Sequence, residues 1–555
     1  MSQKSLSNDR SNGRFFRPML FVVVALTLLC VVPAWGQQNE ASKLIASDGA
    51  ESDDFGHSVS LDGDVALVGA RHHEHSGIES GSAYVFRFDA VNGTWIEEAE
   101  LTASDGAADD CFGGHVVLSG ECALIGASGD DNYTGSAYVF RYDAGSATWS
   151  EEAKLTASDG VEYDFFGAWL SLDGDVALIG AEGDDDNGDS SGSAYVFRYD
   201  AGSATWFEEA KLTASDGAER DRFGDTLYVE DGLAMIGAWG DDDNGSDSGS
   251  VYVFRFDAGS ATWFEEAKLT ASDGSSSAYF GDPISVSGDV ALFGAFGDDS
   301  NISDAGSAYV FRYDAGSATW IEEAKLTASD AVEEAFFGES VSLEDDVALI
   351  GAFQDDDNGD RSGSAYVFRY DASTGTWVEG DKRIASDGAE RDHFGDSVSL
   401  SGDVALIGAA DEDDNGSDSG AAYLFEFTRP ISLDVKINGE DGNLCVNATD
   451  NLICTIDIVD NDQAFEHADV WVLGIYNNVG FCSYGDLGSA SWSWGWNNVY
   501  FTGGLFDHSA TVFDGSLPNG VGIWSIYLAA DDNPNGVLDY SNIMGYDSVS
   551  FVVVP

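Results

Sequence analysis

Short apolar runs alternate with polar turns along most of the chain, and the pattern repeats about every 57 residues. Each copy opens with a Phe-Gly pair, and a Gly-Ala pair begins 14 residues later, directly after an apolar run such as residues 176–179. Two short apolar stretches around a tight Asp-Gly-Asp or Ser-Gly-Asp turn predict a β-hairpin. The Phe-Gly pairs begin at Phe55, Phe112, Phe166, Phe223, Phe280, Phe337 and Phe394.

Two more strands are predicted in every full copy. An alternating run, most often Ala-Tyr-Val-Phe-Arg-Tyr, contains Tyr195 in the third copy, and a run around Trp206 follows this tyrosine by 11 residues. Four short strands per unit are typical of a β-propeller blade. The seven copies therefore predict an all-β, seven-bladed β-propeller over residues 37–428.

The two ends of the array predict how the ring closes. The seventh copy stops after its third strand, at Phe427, and has no Trp segment. Residues 42–49, ahead of the first Phe-Gly pair, match the Ala-Lys-Leu-Thr-Ala-Ser-Asp-Gly that ends the other copies. We expect this N-terminal strand to complete the seventh blade, because an open sheet edge would leave backbone donors and acceptors exposed.

The paired motifs resemble a known repeat. Phe-Gly followed by Gly-Ala, seven times between residues 42 and 428, is similar to the FG-GAP repeat of integrin alpha-subunit propellers and of many exported bacterial proteins. The resemblance implies a propeller and says less about function, since propellers host binding, adhesion and catalysis. Integrin-type repeats carry a calcium loop between the Phe-Gly and Gly-Ala strands. Here residues 172–175 make that connection too short to wrap an ion, so the family's calcium site is not carried over.

Carboxylates collect instead after Gly-Ala, in the connection from the second to the third strand. Ring symmetry places all these loops on one face. Alternating oxygen ligands and a glycine that allows a sharp turn suit calcium, which is the one cofactor we predict. The alternative is a set of solvated acidic turns that keep the protein soluble. The predicted calcium ligands in the blades are Asp184, Asp186, Asp241, Asp243, Asp355 and Asp357.

The residue after Phe-Gly belongs to the innermost strand and is acidic in four consecutive copies. If these side chains face the central channel, they form a carboxylate wall and a second candidate cation site. A hydrated channel mouth or outward-facing groups are the alternative. The four residues are Asp225, Asp282, Glu339 and Asp396.

The first copy breaks the acidic pattern, with Arg71-His72-His73-Glu74-His75 in place of the loop. Three histidines within four residues suit a transition metal. The sequence offers no second cluster that would complete the coordination sphere, so an exposed polar loop is the alternative.

The N-terminus predicts export, and the charge limits the possible partners. A basic stretch, the apolar run 19–32 and small residues at 34 and 36 predict a signal peptide over residues 1–36. Later apolar runs are too short to cross a bilayer, so we expect a secreted or cell-surface protein without a transmembrane anchor. With 99 acidic and 24 basic residues, a formal net charge of -75 excludes nucleic acid as a partner.

An oxidising compartment favours disulfides for the cysteines. Cys111 and Cys122 fall on neighbouring predicted strands of one repeat, which suggests a bridge. Cys445 and Cys454 are placed to close a hairpin loop, and the sequence does not decide the pairing.

Residues 429–555 consist of short predicted strands between Asn, Asp and Gly turns, which favours an accessory β-sandwich. Trp492, Trp494 and Trp496 point to one face of a strand, as a stacking platform for sugar rings or as the core of the sandwich. A further calcium loop is predicted from Asp531, Asn533, Asn535 and Asp539.

Common catalytic signatures are absent: a lipase-type elbow, a zinc-protease helix and a glycine-rich phosphate loop. Near-identical blades also disfavour catalysis, which needs unlike groups at one place. We therefore expect a non-enzymatic binding or adhesion protein that engages an extracellular protein or glycan through one face of the ring, with calcium ordering the acidic loops. The alternatives are a carbohydrate binder with its specificity in the C-terminal module, and a propeller enzyme of unrecognised type.

Overall fold

The alternating runs of the repeats form antiparallel β-strands in the order that the sequence predicts. The structure, a computed structural model, describes residues 40–299 and 302–427 with their side chains, and beyond them the backbone of nine strands between residues 432 and 554. Within residues 40–427 the strands form seven four-stranded sheets. The predicted signal peptide, residues 1–36, lies outside the described residues.

The strands are as follows. The chain starts with β1 (Glu40–Leu44). Blade 1 contains β2 (Phe55–Asp62), β3 (Val65–Ala70), β4 (Ser82–Asp89) and β5 (Thr94–Leu101). Blade 2 contains β6 (Val116–Ser119), β7 (Cys122–Ala127), a four-residue helix α1 (Asp130–Tyr133), β8 (Ser136–Asp143) and β9 (Thr148–Leu155). Blade 3 contains β10 (Leu170–Asp173), β11 (Val176–Ala181), β12 (Ser193–Asp200) and β13 (Thr205–Leu212).

The remaining blades follow the same order. Blade 4 contains β14 (Leu227–Glu230), β15 (Leu233–Ala238), β16 (Ser250–Asp257) and β17 (Thr262–Leu269). Blade 5 contains β18 (Ile284–Ser287), β19 (Val290–Ala295), β20 (Ser307–Asp314) and β21 (Thr319–Leu326). Blade 6 contains β22 (Val341–Glu344), β23 (Val347–Ala352), β24 (Ser364–Asp371) and β25 (Thr376–Arg383). Blade 7 contains β26 (Phe394–Ser401), β27 (Val404–Ala409) and β28 (Ala421–Glu426).

The first strand of each blade is the innermost. These strands contact one another in the cyclic order β2, β6, β10, β14, β18, β22, β26 and back to β2. The prediction of an all-β, seven-bladed propeller is confirmed.

The N-terminal strand β1 lies on the outer edge of blade 7, in a sheet of order β1-β28-β27-β26. It runs antiparallel to β28, with Lys43 opposite Tyr423 and Leu44 opposite Ala422. Leu44 is buried in an apolar cluster that also contains Phe55 of blade 1. The strand therefore contacts both blades that meet at the junction of the ring.

The glycines of the two motifs are explained by close contact between neighbouring blades. Gly224, in the Phe-Gly pair of blade 4, has a φ of 98°, and a Cβ there would come within 2.3 Å of the Ser193 carbonyl oxygen. A Cβ on Gly180, in the Gly-Ala pair of blade 3, would lie 1.9 Å from the Gly224 carbonyl oxygen. Both positions need glycine, because any side chain would push the blades apart.

Aromatic residues fill the space between blades. The Phe223 side chain is fully buried and lies edge-on to Tyr252 and Phe254, with ring centroids 5.4 and 6.0 Å apart. Val196 and Leu178 of the preceding blade belong to the same apolar cluster. Each junction is therefore a small core between two sheets, which holds the loops above it in place.

The predicted bridge between Cys111 and Cys122 is wrong, since both thiols are free. Cys122 begins β7 and is buried, and burial raises the pKa of its thiol to about 11. Cys111 lies beside the other end of the same hairpin, where Gly113 donates its N–H to the Gly126 carbonyl. Four residues of strand separate the two ends by about 14 Å, whereas bridged Cα atoms lie within about 7 Å.

The C-terminal strands form two further sheets. One has the order β29-β31-β35-β34 and the other β30-β37-β36-β32-β33. The packing of these sheets as a β-sandwich stays a prediction. The strands are β29 (Ser432–Ile437), β30 (Leu444–Asn447), β31 (Asn451–Val459), β32 (Asp469–Tyr476), β33 (Val479–Asp486), β34 (Tyr500–Phe501), β35 (His508–Ser516), β36 (Gly522–Asp531) and β37 (Ile543–Val554).

The predicted sites of this region fall largely on residues that the structure does not describe. Cys445 and Cys454 lie on β30 and β31, which belong to different sheets and so do not pair as the hairpin we predicted. Asp531 ends β36. The other predicted residues lie outside the described residues: Trp492, Trp494, Trp496, Asn533, Asn535 and Asp539.

Candidate functional site

One face of the ring, here called the loop face, carries two sets of connections in each blade. The acidic loop, residues 182–192 in blade 3, joins the second strand to the third, and residues 213–222 join the fourth strand to blade 4. Arg220 in the second connection donates its backbone N–H to the Asp189 carbonyl oxygen in the first, at 2.8 Å. The two sets of loops therefore support each other on the same side of the molecule.

A lysine from the outermost strand lies among the carboxylates of the acidic loop. In blade 3 the Nζ of Lys211, on β13, lies 2.8 Å from Asp184, 2.7 Å from Asp186 and 2.9 Å from Asp159. The Asp184 side chain is only 6% exposed, and that of Lys211 is 17% exposed. The ammonium group thus occupies the space between the two carboxylates that we predicted to hold calcium.

The arrangement recurs around the ring. The corresponding lysines and their carboxylate partners are Lys154 with Asp105 and Asp130, Lys268 with Asp216, Asp241 and Asp243, Lys325 with Asp273 and Asp298, Lys382 with Asp330, Asp355 and Asp357, and Lys43 with Asp387, Glu412 and Asp414. In blade 7 the lysine is Lys43 of β1. The N-terminal strand therefore supplies both the fourth strand of this blade and the positive charge among its carboxylates.

The surrounding groups hold the lysine charged. Burial pulls the pKa of Lys211 down, but its hydrogen bonds to Asp184 and Asp186 outweigh burial and raise the pKa above its ordinary value. The Tyr195 hydroxyl contacts Asp159 at 2.8 Å and Asp184 at 3.1 Å. As long as the ammonium stays there, the donor set does not fit calcium, because the two cations would compete for the same oxygens. Calcium in these loops stays a prediction.

Aromatic side chains form a continuous band across blades 4 to 6. The aromatic band consists of Trp239, Tyr279, Phe296, Phe336 and Phe353. The centroids of successive rings lie 5.4, 4.9, 6.2 and 5.7 Å apart, and two of the contacts are stacked. All five side chains are half-buried, so part of each ring remains open to solvent.

The band follows from two repeated positions, the residue after Gly-Ala and the residue before Phe-Gly, which alternate from blade to blade. In the first two blades the corresponding residues Arg71, Cys111 and Ser128 line the central channel. By the symmetry of the ring, the aromatic band lies at the channel mouth on the loop face.

Charged groups stand at both ends of the aromatic band. The Arg222 guanidinium lies 5.1 Å from the centre of the first ring and pairs with Glu182 at 3.0 Å. At the other end, His393 lies edge-on to the last ring at 5.4 Å, and its Nδ1 is 2.5 Å from Asp411. An apolar stacking surface with hydrogen-bonding groups at its ends suits a ligand that is flat on one face and polar at its edges.

The central channel encloses a cavity of about 570 Å³. Glu339 and Asp396 of the predicted carboxylate wall line it, and His57 of blade 1 lies 3.3 Å from Asp396. Asp225 and Asp282 instead form hydrogen bonds with each other. The other blades contribute Gly114, Ala168, Thr226 and Pro283 to the lining.

Burial disfavours charge on the wall. It raises the pKa of Asp282 to about 7. Burial, together with the charges of Asp282 and Glu182, raises the pKa of Asp225 well above its ordinary value. Burial also raises the pKa of Glu339, and Asp282 and Asp396 add to the effect. Near neutral pH some carboxyl groups of the wall are therefore protonated.

The repeats of residues 35–86, 95–140, 149–197, 206–254, 263–311, 320–368 and 377–425 each match the FG-GAP repeat family. The matches cover more than half of the chain. The chain belongs to the FG-GAP repeat family.

No curated protein matches this FG-GAP chain. Among solved structures it is similar to Sqt1 of Saccharomyces cerevisiae, at 10% identity over 71% of this chain and 100% of that one, with a TM-score of 0.38. It is also similar to an oligogalacturonate lyase in complex with manganese, at 11% identity over 71% of this chain and 99% of that one, with a TM-score of 0.36. Neither similarity says what this FG-GAP protein binds.

Among the described residues of the FG-GAP chain, no helix is both long and apolar enough to cross a membrane.

Replacement of Asp282 by Asn should stabilise the FG-GAP propeller in a pH-dependent way. In the unfolded chain an Asp side chain has a pKa of about 3.9, whereas the pKa of Asp282 in the folded chain is about 7. The native state therefore holds a proton that the unfolded state releases, and wild-type stability falls as pH rises from about 4 to 7. We expect the variant to melt about 2–4 °C above wild type at pH 8, with a difference that shrinks towards pH 4.

Calorimetry between pH 4 and pH 8 measures this difference. The control is Asp175→Asn, at an exposed turn between β10 and β11, which should change the melting temperature little at any pH. An Asp282→Asn effect of equal size at pH 4 and pH 8 would contradict the assigned titration.

Proposed function

We propose that this FG-GAP protein is an exported, non-enzymatic binding protein that engages an extracellular partner through its loop face. The aromatic band at the channel mouth is the observation that carries the proposal. Five adjoining, partly exposed rings on one side of a soluble protein are typical of a binding surface. The signal-like N-terminus and the excess of acidic residues support a role outside the cell.

A glycan without negative charge fits the aromatic band best among the possible partners. Sugar rings have apolar faces that stack on aromatic side chains, and their hydroxyl groups find partners in Glu182, Arg222, His393 and Asp411 at the ends of the band. The acidic balance of the chain repels polyanions, which disfavours glycans rich in uronic acids. A protein partner with basic residues is the second choice for the same surface.

Alanine substitutions in the aromatic band should weaken glycan binding. We expect Trp239→Ala and Phe353→Ala each to lower affinity about tenfold or more, which corresponds to about 1.4 kcal/mol. Binding is measured on an array of neutral, basic and uronic-acid glycans and then by calorimetry with the best ligand. Phe264→Ala is the matched control, because Phe264 is an exposed aromatic residue on β17 of the same blade as Trp239 and lies outside the band.

The outcomes separate the candidate functions. Glycan binding that survives both band variants but is lost in Trp494→Ala would show that the C-terminal module determines specificity. This is the alternative that the sequence analysis left open. If no glycan binds, and if a basic protein binds the wild-type chain but not the band variants, a protein partner is favoured. Binding that no band variant changes contradicts the proposal.

An enzyme is the second candidate function, and the channel is the observation that favours it. Unlike polar groups line the cavity: His57, Arg71, Glu339 and Asp396. A buried carboxyl group with a raised pKa, such as Glu339 here, is also found in sites of acid–base catalysis. Turnover of the bound glycan that disappears in Asp396→Asn, with binding retained, would establish an enzyme and overturn the non-enzymatic part of the proposal.

Calcium assistance of the loop face, in which the ion displaces a lysine ammonium group from its carboxylates, is part of the same proposal and is tested separately. Millimolar calcium should raise the melting temperature of residues 37–555 if an ion binds the native state alone. An unchanged melting temperature at that concentration would contradict calcium binding and would mean that the lysines alone neutralise the acidic loops.

A further inference from the structure

Blade 1 inverts the charge pattern of the acidic loops. In blade 3 three carboxylates, of Asp159, Asp184 and Asp186, surround the ammonium group of Lys211. The positions of these four residues are held in blade 1 by Asp48, His73, His75 and Glu100, in the same order. The outer-strand lysine has become a glutamate, and the two loop carboxylates have become imidazoles. Blade 1 therefore lacks the outer-strand lysine that each of the other six blades has at this position, and it has ligands of a different kind.

We propose that His73, His75, Glu100 and Asp48 bind a divalent transition-metal ion, with zinc as the best-fitting ion. This site is independent of the glycan-binding surface proposed above.

The candidate ligand atoms already lie close together. One ring nitrogen of each histidine and a carboxylate oxygen of Glu100 all lie within 4.8 Å of one another. The Nδ1 of His75 is 2.9 Å from Glu100, and the Nε2 of His73 is 3.8 Å from Glu100 and 3.9 Å from Asp48. Ligands at about 2.0–2.2 Å from a tetrahedral zinc ion lie about 3.4 Å apart, so small side-chain rotations complete the sphere.

The neighbouring groups orient these ligands. The Nδ1 of His73 lies 3.0 Å from the buried carboxylate of Asp53, which leaves Nε2 to face the cluster. A histidine that is held by a carboxylate through its other nitrogen is the usual arrangement at protein metal sites. Hydrogen bonds at 2.9 Å fix the two carboxylate ligands, one from Ser82 to Glu100 and one from Tyr84 to Asp48.

The third histidine of the motif belongs elsewhere. The Nδ1 of His72 is 2.9 Å from Asp54, and the side chain lines the central channel. This division explains why only two of the three histidines face Glu100.

The ligand chemistry selects the ion. Two imidazoles with two carboxylates suit zinc and its neighbours in the first transition series, whereas calcium prefers a sphere made of oxygen alone. The His73 side chain is 12% exposed and that of His75 is 45% exposed, so the cluster is open on one side for the ion to enter. Because Asp48 follows β1 and the other ligands belong to blade 1, the bound ion joins the N-terminal segment to blade 1.

Zinc titration of the full mature chain, prepared without a histidine tag and stripped of metal with a chelator, tests the site. We expect one equivalent to bind with micromolar affinity or better and to raise the melting temperature. Glu100→Gln and His75→Ala should each weaken binding roughly 100-fold, and Asp53→Asn roughly 10–100-fold through the orientation of His73. Cobalt in place of zinc should give the visible absorption of a four-coordinate ion in wild type and lose it in both ligand variants.

Asp184→Asn is the matched control, since Asp184 holds the position of His73 in blade 3; it should leave the affinity for zinc unchanged. Each variant is first melted without metal, and the exposed His75 keeps the test available if a buried substitution prevents folding. Zinc binding weaker than about 100 μM, or tight binding that Glu100→Gln and His75→Ala leave intact, would overturn the proposal.

Discussion

A chain that begins at Ala50 instead of Gln37 should melt at a much lower temperature and should self-associate. The truncation removes β1, so the backbone groups of β28 lose their partners and become an exposed edge. It also removes the buried Leu44 and Ala46 from the junction of blades 7 and 1, and Lys43 from among three carboxylates. We expect the melting temperature to fall by more than about 10 °C, measured by calorimetry with gel filtration alongside.

The matched control begins at Glu40 and keeps β1, so it should melt like the longer chain. Addition of a peptide of residues 40–49 should restore part of the stability of the truncated chain, because the strand binds β28 without being joined to it. A monomeric truncated chain with an unchanged melting temperature would contradict the role of β1.

Lys211→Met should destabilise blade 3 by about 3 kcal/mol at neutral pH. The substitution keeps the apolar stem and removes the ammonium, so Asp184 stays buried at 6% exposure without its cation. Loss of one partner of a buried ion pair is costly because the other charge is left uncompensated. Denaturant unfolding measures the loss, and amide exchange locates it in β11 to β13.

A second substitution separates this effect from general damage. Lys211→Met with Asp184→Asn removes both charges and should recover much of the lost stability, which gives a large coupling energy. Glu209→Gln, which breaks an ion pair with Arg198 on the outer strands of the same blade, should cost about 1 kcal/mol or less. Equal losses in the single and double variants would show that the ion pair is not what holds the loop.

The single Lys211 variant also provides a direct test of calcium binding. With the ammonium gone, Asp159, Asp184 and Asp186 offer oxygens to an ion, so millimolar calcium should restore stability to the variant more than to wild type.

The propeller could be predicted from the sequence because its main constraint lies in the backbone. Gly180 and Gly224 must be glycines where neighbouring blades touch, so both motifs recur at a fixed spacing whatever the loops contain. Phe223 fills the junction between blades and recurs for the same reason. Such requirements apply equally to every blade, and the repetition makes them visible.

The site could be predicted only in part, because its contacts join residues that are distant in sequence or differ between copies. Lys211 lies 27 residues from Asp184, and the acidic loop alone gives no sign of that cation. The sequence did contain a signal for this ion pair, because the lysine and the aspartate recur together in the other copies. In blade 1 both change at once, the lysine to Glu100 and the aspartate to His73.

The aromatic band was missed because the residue types at its two positions change from copy to copy. They hold Trp239 and Tyr279 around blades 4 and 5, but Arg71 and Cys111 around blades 1 and 2. Only the ring geometry brings these positions together. The wrong pairing of Cys111 with Cys122 has a related cause, since membership of neighbouring strands does not say at which end of a hairpin a residue lies.

The placement of all the loops on one face depends on closure of the ring by β1, and hydrogen–deuterium exchange of residues 40–46 tests it most directly. If β1 is the outer strand of blade 7, the amides that face β28 should exchange as slowly as their counterparts on β13, the outer strand of blade 3. Exchange of this segment at the rate of an unstructured peptide, while β13 stays protected, would contradict closure of the ring by β1.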